Sequence, residues 1–259
     1  MFDLKLSSKQ LIVFIGPAGS GKSTLTASLG DWITKEQGIK VGYVNLDPGA
    51  EYTPYNPDVD VREFVTAREI MKKYKLGPNG ALIKSVDLML THRSEIVSRI
   101  ATLPVEIVLI DTPGQMELFL FRKSGPAFLE AFNKVGFTTS VIVFDPTLTY
   151  TPSDIVSLKL LTIITQLRLN TETVAVVNKI DDLKDDTITQ LLDDTSLLME
   201  KIEEVGQGVL TDLSLEIVKL LDYYKQASRL VKVSAKEGIG LESLYDILHE
   251  IYCTCGDLT

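Results

Sequence analysis

A glycine-rich segment near the start of the chain has the composition and spacing of a phosphate-binding loop. Gly16 to Ser23 matches the pattern G-x-x-x-x-G-K-[ST], between a predicted strand and a predicted helix. The glycines allow backbone N–H groups to converge on an anion, and the helix that follows adds the positive end of its dipole. Lys22 can reach the β- and γ-phosphates of a nucleotide, and the Ser23 hydroxyl can bind Mg²⁺. The residues expected to contact the phosphates are Gly16, Pro17, Ala18, Gly19, Ser20, Gly21, Lys22, Ser23 and Thr24.

The segment 105–117, VEIVLIDTPGQME, supplies groups that could complete this site. Asp111 ends an apolar run, where a carboxylate can hold the Mg²⁺ ion, and the Gly114 N–H can approach the γ-phosphate. Gln115 stands where Ras-like proteins carry the glutamine that orients the attacking water. A helix-capping role for Asp111 and a local polar role for Gln115 are the alternatives.

Two later segments predict which base is bound. Asn178, Lys179 and Asp181 form the pattern N-K-x-D after the fifth apolar run. Guanine presents two adjacent donors, N1–H and N2–H₂, which the single carboxylate of Asp181 could accept, whereas adenine would leave that charge unpaired. Asn178 would brace the neighbouring loops, and the aliphatic part of Lys179 would cover the base.

The second base segment is Ser234-Ala235-Lys236, after the last apolar run. The Ala235 N–H could donate to guanine O6, and Lys236 could stack beside the base. Each motif alone is weak, but four of them in this order, each at the end of a predicted strand, predict guanine-nucleotide binding. The N-K-x-D segment also argues against a nucleoside or polynucleotide kinase, which normally binds ATP.

The elements that must position these motifs are short apolar runs that alternate with longer helical patterns. The runs are continuous rather than alternating, as in a parallel sheet covered on both faces. Strands are predicted at 11–16, 40–46, 105–111, 139–145, 173–178 and 230–235. Helices are predicted at 22–37, 80–100, 115–132, 153–169, 193–223 and 241–251. The pattern predicts an α/β fold of the three-layer P-loop NTPase type, with a mostly parallel sheet flanked by helices.

Length and composition restrict the remaining possibilities. The 259 residues predict a single domain, 1–259, with helical insertions at about 47–104 and 179–229. The formal net charge of −9 argues against a broad nucleic-acid or anionic-membrane surface. Cys253 and Cys255 are the two cysteines, which excludes a disulfide framework and favours a cytoplasmic location. The final segment, 252–259, is expected to be disordered or loosely docked.

With these motifs, the chain resembles the GPN-loop GTPases, and in particular their homodimeric members. The resemblance covers nearly the whole chain. It is carried by 16–23, 45–51 (NLDPGAE), 77–80 (GPNG), 111–117 (DTPGQME), 178–181 (NKID) and 234–236 (SAK).

The resemblance implies that the loop of Gly77, Pro78 and Asn79 enters the nucleotide site of the opposing subunit. Asn79 would then offer its amide to the γ-phosphate or to the attacking water. Asp47 would contact Mg²⁺ or orient that water, so that Ser23, Asp47 and Asp111 are the expected metal ligands. Taken alone, 77–80 is an ordinary turn and Asp47 an ordinary turn-opening residue.

The resulting interpretation is a dimeric switch that binds and hydrolyses GTP with Mg²⁺ and acts in the assembly of a protein complex. The protein partner is unidentified; a link to RNA polymerase comes from family analogy alone, and neither nucleic acid nor membrane is expected. The alternative is a scaffold or assembly chaperone that binds GTP without needing its hydrolysis, with the two insertions as partner surfaces. In that alternative, apolar residues of the segment 119–132, FLFRKSGPAFLEAF, could form a groove that is exposed in one nucleotide state, although the pattern itself favours core.

Overall fold

A parallel β-sheet forms the centre of the structure, a computed structural model in which residues 9–183, 186–206, 208–223 and 230–256 are described. Within those residues the sheet has seven strands in the spatial order β3-β2-β4-β1-β5-β6-β7. The strands are β1 (Lys9–Ile15), β2 (Val41–Asn45), β3 (Val59–Asp60), β4 (Ile107–Asp111), β5 (Gly136–Phe144), β6 (Glu172–Val177) and β7 (Leu230–Lys232). Because the strands are parallel, the loops that follow them open at one edge of the sheet, where nucleotides bind in this class of fold.

The short strand β3 is absent from the sequence-based prediction. It has two residues and pairs with β2 through Val44 opposite Val59 and Asn45 opposite Asp60. Two residues within a proline-rich, acidic segment carry no periodicity that a sequence pattern could detect. Its consequence is local: β3 anchors the far end of the loop that follows β2.

Helices cover both faces of the sheet, which confirms the predicted three-layer arrangement. One face is covered by α1 (Lys22–Trp32) and α11 (Leu241–Gly256), whose Leu25, Leu29, Leu244 and Leu248 pack with Phe14 of β1. The other face packs against α3 (Pro78–Met89), α4 (Arg93–Thr102), α6 (Ser124–Phe132) and α7 (Pro152–Leu169). The remaining helices are α2 (Ala67–Tyr74), α5 (Met116–Leu120), α8 (Asp186–Asp193), α9 (Thr195–Val205) and α10 (Val209–Tyr223).

The predicted helix at 80–100 is two helices, α3 and α4, separated by a 3₁₀ turn at Leu90–His92. The first of them begins earlier than predicted, at Pro78, with Gly77 as the N-cap residue. Proline suits this first helical position because its fixed φ is helical and its missing N–H would have no partner there. The Gly-Pro-Asn segment is therefore the first turn of a helix in this chain.

The segment predicted as a helix at 115–132 also divides, into α5 and α6. Its aromatic residues Phe119, Phe128 and Phe132 are fully buried, and Phe121 is half-exposed. The segment is therefore mainly core in this structure, in agreement with the core interpretation of its sequence.

The second insertion contains α8, α9 and α10, where one long helix at 193–223 was predicted. The predicted helix is interrupted between Val205, where α9 ends, and Val209, where α10 begins. Asp194 separates α8 from α9, and its side chain accepts hydrogen bonds from the Ser196 and Leu197 N–H groups and so starts α9. Residues 184–185, 207 and 224–229 of this insertion lie outside the described part of the chain. On α10, the side chains of Val209, Leu210, Leu213 and Leu220 are exposed.

The C-terminal segment is more ordered than expected, because α11 continues to Gly256. The Tyr252 ring lies 5.9 Å from the Phe137 ring at the start of β5. Cys253 is exposed on α11, while the side chain of Cys255 and residues 257–259 lie outside the described residues. None of the helices described in this chain has the length and apolar character needed to cross a membrane.

Candidate nucleotide-binding site

The predicted phosphate loop joins β1 to α1, as its motif requires. Gly21 takes the left-handed conformation, with φ of 87°, immediately before the helix begins at Lys22. A Cβ atom at this position would lie 2.4 Å from Asn178 Nδ2, so the residue needs both the conformational freedom and the small size of glycine. Of the two hydroxyl residues that follow Lys22, Ser23 is half-buried and Thr24 is exposed.

The Lys22 ammonium group is buried inside this loop. It donates hydrogen bonds to the carbonyl oxygens of Gly16 at 2.9 Å and Pro17 at 3.0 Å. Burial lowers the pKa of Lys22, and the nearby carboxylates of Asp111 and Asp47 oppose that change. The cation is thus held at the expected phosphate position by carbonyl groups that a phosphate oxygen can replace.

Asp111 lies at the end of β4 and is almost completely buried. Its Oδ2 accepts a hydrogen bond from the Tyr55 hydroxyl at 2.9 Å, whereas Oδ1 is buried without a hydrogen-bond partner in the described part of the chain. Burial raises the pKa of Asp111 to about 6, and the hydroxyl groups of Ser23 and Tyr55 oppose that rise. An unpartnered carboxylate oxygen near a hydroxyl is a donor set that fits Mg²⁺, which prefers oxygen ligands.

Asp47, in the loop after β2, contacts the segment that follows Asp111. Its Oδ1 accepts from the Gly49 N–H at 2.8 Å, and its Oδ2 accepts from the Gly114 N–H at 3.1 Å. Burial raises the pKa of Asp47, and these two hydrogen bonds oppose the rise. The Gly114 N–H, expected to face the γ-phosphate, is therefore bonded to Asp47 in this structure.

A network of side chains at the ends of β2 and β3 holds the Asp47 loop. Arg62 makes several hydrogen bonds to the Asp60 carboxylate, and its Nη1 also donates to the Ala50 carbonyl at 3.1 Å. The Asn45 amide donates to Asp60 Oδ1 at 3.0 Å, and its oxygen accepts from the Asp47 N–H at 3.0 Å. Asp60 and Arg62 lie in the first insertion, where no sequence motif identified them.

Asn178 connects the two loops that were predicted to bind the base and the phosphates. Its Nδ2 donates to the Ser20 carbonyl at 3.0 Å, and its Oδ1 accepts from the Ala235 N–H at 3.0 Å. The bracing role predicted for Asn178 agrees with this geometry. The same geometry occupies the Ala235 N–H, which was expected to be directed at guanine O6.

Lys179 extends from the base loop across the phosphate loop. Its Nζ donates to the Gly19 carbonyl at 2.7 Å and pairs with Asp145 Oδ2 at 2.6 Å. Burial opposes ionisation of Asp145, but hydrogen bonds from Lys179 and Thr147 hold the pKa of that carboxyl below its usual value. Asp145 follows β5 without a motif of its own, so the sequence offered no sign of this contact.

Asp181 is exposed at the open edge of the sheet, where a base could reach it. A hydrogen bond from the Ser234 hydroxyl is the main cause that lowers the pKa of Asp181. Ser234 itself is fully buried and also accepts a hydrogen bond from the Glu237 N–H at 3.1 Å. Lys236 is largely exposed, with its Nζ 3.4 Å from Glu237. The Ser234 hydroxyl thus favours the ionised form of the Asp181 carboxylate, and Lys236 is left accessible to a ligand.

The two other predicted catalytic side chains are less constrained. Gln115 lies at the start of α5, half-buried, and Asn79 lies with Gly77 and Pro78 at the exposed start of α3. Within the described residues, neither side chain makes a hydrogen bond. This single chain therefore does not bring Asn79 into a bonded position at the phosphate loop.

Comparison with known proteins gives consistent matches over most of the chain. Residues 14–254 match the family described as "Conserved hypothetical ATP binding protein". The chain is 37% identical over 256 residues to "GPN-loop GTPase PAB0955" of Pyrococcus abyssi, covering 96% of this chain and 100% of that one. It is 30% identical to "GPN-loop GTPase QQT2" of Arabidopsis thaliana, covering 89% of this chain but 61% of the relative's length.

A solved structure has the same fold. The crystal structure of PAB0955, a GTPase in apo form from Pyrococcus abyssi, matches with a TM-score of 0.85 and 34% identity, covering 95% of this chain and 98% of that one.

Proposed function

The chain belongs to the GPN-loop GTPases, and from this membership we propose that it is a dimeric switch that binds GTP, hydrolyses it and releases GDP. The observation that carries the proposal is the pair of hydrogen bonds made by Asn178. They connect the Ser20 carbonyl of the phosphate loop with the Ala235 N–H, so that both ends of a nucleotide would meet one connected surface.

The phosphate end would bind the backbone N–H groups of the loop and the Lys22 ammonium group. Ser23, Asp111 and Asp47 would hold Mg²⁺, which when bound would neutralise charge on the phosphate oxygens. The buried Oδ1 of Asp111, without a hydrogen-bond partner among the described residues, supports this assignment. Lys22 would leave the carbonyl groups of Gly16 and Pro17 to stabilise the charge that develops during hydrolysis.

The base end would select guanine. Asp181 is exposed, and the Ser234 hydroxyl helps to keep it ionised, as acceptance of two donors from guanine requires. The matching family's description names ATP. A carboxylate at this position would be unpaired against adenine, which favours GTP as the substrate.

Hydrolysis would use a water molecule oriented by Gln115, by Asp47 or by the partner subunit's Asn79. Asn79 lies at the exposed start of α3, where a second subunit could approach it. A neutral amide stabilises the transition state less than the guanidinium of an arginine finger, so slow turnover is expected. Dimerisation therefore belongs to the same proposal as catalysis.

The cellular role would be the nucleotide-dependent assembly of a protein complex. One observation favours a second candidate, a scaffold that binds GTP without needing hydrolysis. The apolar side chains Val209, Leu210, Leu213 and Leu220 on α10 are exposed, and such a surface suits a protein partner.

The testing experiment measures phosphate release from GTP, with ATP in parallel, over a wide range of protein concentration. The expected result is release from GTP alone, with activity per subunit rising as protein is added because a second chain completes the site. An equal rate with ATP would contradict the base assignment, and an absence of release would favour the scaffold. A flat concentration profile is resolved by sizing: a monomer at every concentration would contradict the dimeric site.

A variant tests the role of the second subunit more directly. We expect Asn79→Ala to lower the turnover per subunit without changing the affinity for GDP, which lacks the γ-phosphate. Unchanged turnover together with unchanged binding of a GTP analogue would exclude the proposed contact.

A further inference from the structure

Tyr55 is a buried side chain at the phosphate site that no motif identified. Its hydroxyl donates to Asp111 Oδ2 at 2.9 Å, and this leaves Oδ1 as the carboxylate oxygen without a hydrogen-bond partner in the described residues. We propose that Tyr55 is a positioning residue for the magnesium site, which holds the Asp111 carboxylate in the orientation that presents Oδ1 to the ion. The inference rests on the proposed function, because it assumes that Mg²⁺ accompanies the nucleotide.

The position of the Tyr55 hydroxyl is itself fixed by packing. Its ring stacks on the Tyr43 ring with 5.2 Å between centroids and 16° between planes. Its backbone carbonyl accepts a hydrogen bond from the Thr53 hydroxyl at 3.0 Å. Only 8% of Tyr55 is exposed, so water cannot readily replace its hydrogen bond. A donor held in this way removes rotational freedom from the carboxylate that it contacts.

In metal sites, a residue that hydrogen-bonds a metal-binding side chain, and so orients it, has a measurable effect on metal affinity. Loss of such a neighbour typically lowers metal affinity by about 10- to 100-fold. A purely structural tyrosine would behave differently, because its loss would lower the stability of the fold without changing how strongly Mg²⁺ retains a nucleotide. The two roles are therefore separated by a measurement of Mg²⁺ dependence.

The same ring stack offers a matched control. Tyr43 is also a tyrosine in this stack, but its hydroxyl lies 3.5 Å from Asp31 Oδ1 instead of contacting Asp111. Tyr55→Phe and Tyr43→Phe each remove one hydroxyl and keep the ring. Only the first removes a hydrogen bond from the proposed metal ligand.

The experiment follows the release of fluorescently labelled GDP at increasing Mg²⁺ concentration. We expect the Mg²⁺ concentration that slows release by half to rise about tenfold or more in Tyr55→Phe and to stay unchanged in Tyr43→Phe. With EDTA present, GDP affinity should be the same in all three proteins. Equal Mg²⁺ midpoints in Tyr55→Phe and the unmodified protein would overturn this inference but would not contradict the proposed function. Failure of the unmodified protein to bind GDP would overturn the proposed function, and the inference with it.

Urea unfolding without ligands establishes whether Tyr55→Phe is folded. If Tyr55→Phe is not folded, a second measurement replaces the release experiment on that variant. This measurement is the near-ultraviolet tyrosine difference spectrum on addition of Mg²⁺ to the GDP complex. The unmodified protein and Tyr43→Phe should show the same signal, because Mg²⁺ at Asp111 weakens the hydrogen bond to Tyr55. Absence of a tyrosine signal at saturating Mg²⁺ would overturn the inference.

Discussion

The Gly114 N–H donates a hydrogen bond to Asp47 Oδ2 across 3.1 Å, and so joins the loop after β2 to the loop after β4. The same carboxylate accepts the Gly49 N–H through its other oxygen. Both Asp47 and Gly114 are proposed to act on the γ-phosphate or on the groups around it. The Gly114 N–H cannot donate fully to the γ-phosphate while it donates to Asp47, so we expect binding of GTP to separate the two residues.

The first prediction follows from that separation and concerns hydrogen exchange at the Gly49 amide. We expect an Asp47 side chain that turns away from Gly114 also to leave the Gly49 N–H, because one carboxylate accepts both bonds. With a non-hydrolysable GTP analogue in place of GDP, exchange at Gly49 should become about five- to tenfold faster, because a hydrogen bond worth about 1 kcal/mol is lost. In Asp47→Ala, exchange should be fast with either nucleotide. Amide exchange measured by mass spectrometry provides the readout, and equal protection with GDP and the analogue would contradict the separation.

The second prediction concerns base selection by Asp181. Asp181→Asn should weaken GTP binding by about 100-fold or more, because the amide cannot accept both guanine donors. It should strengthen binding of xanthosine triphosphate, whose O2 can accept the new amide N–H. Ser234→Ala, which removes the positioning hydroxyl but keeps the carboxylate, should weaken GTP binding less and gain nothing for xanthosine triphosphate. Competition binding of GTP and xanthosine triphosphate to the unmodified protein and the two variants is the measurement. An unchanged base preference in Asp181→Asn would show that Asp181 does not contact the base.

The third prediction concerns the brace between the loops. Asn178 is 1% exposed, so Asn178→Ala leaves the Ser20 carbonyl and the Ala235 N–H buried without this partner. We expect a loss of about 1–3 kcal/mol in the free energy of unfolding without nucleotide. Asn79→Ala, the same substitution at an exposed site, should change that free energy little. Urea unfolding tests the pair, and equal stability of both variants would show that the brace does not support the fold.

The fourth prediction concerns pH and the Asp60–Arg62 pair. Burial opposes ionisation of Asp60, but its hydrogen bonds with Arg62 and Asn45 lower the pKa of the carboxyl below its ordinary value. The folded protein therefore binds this proton less readily than the unfolded chain. The contribution of Asp60 to stability is present above the unfolded-state pKa and is lost as the pH falls through the folded-state pKa.

Asp60→Asn should accordingly lower the free energy of unfolding at pH 7 by about 1–3 kcal/mol, and the difference from the unmodified protein should shrink below about pH 4. Glu63→Gln, in the exposed ion pair with Arg99, should show little change at either pH. Urea unfolding across this range is the measurement. A difference that grows as the pH falls would contradict the assignment.

The motifs and the parallel sheet were predictable because each depends on local rules. Continuous apolar runs indicate strands that are covered on both faces, and a motif directly after such a run must lie at the edge where parallel strands end. Asp111 and Asn178 could thus be placed at one edge from their positions after strands. Helix boundaries were less predictable, because a helix start such as that of α9 depends on a single capping side chain, here Asp194.

Tyr55, Asp145 and the Asp60–Arg62 pair could not be found in this way. Their roles depend on contacts between residues that are distant in sequence, such as Tyr55 and Asp111, which are 56 positions apart. A tyrosine in a proline-rich segment has no spacing pattern that distinguishes it from a surface residue. The engagement of the Gly114 N–H by Asp47 was unpredictable for the same reason, since both residues had been assigned to the nucleotide.

The hydrogen bonds of Asn178 also have a consequence for how the protein is made. The brace joins Ser20, near the start of the chain, to Ala235, which follows β7. A growing chain that has left the ribosome as far as Asp181 already contains the phosphate loop and the N-K-x-D segment, but not the last loop of the site. We therefore expect nucleotide to stabilise the newly made protein only after β7 and the loop of Ala235 have emerged.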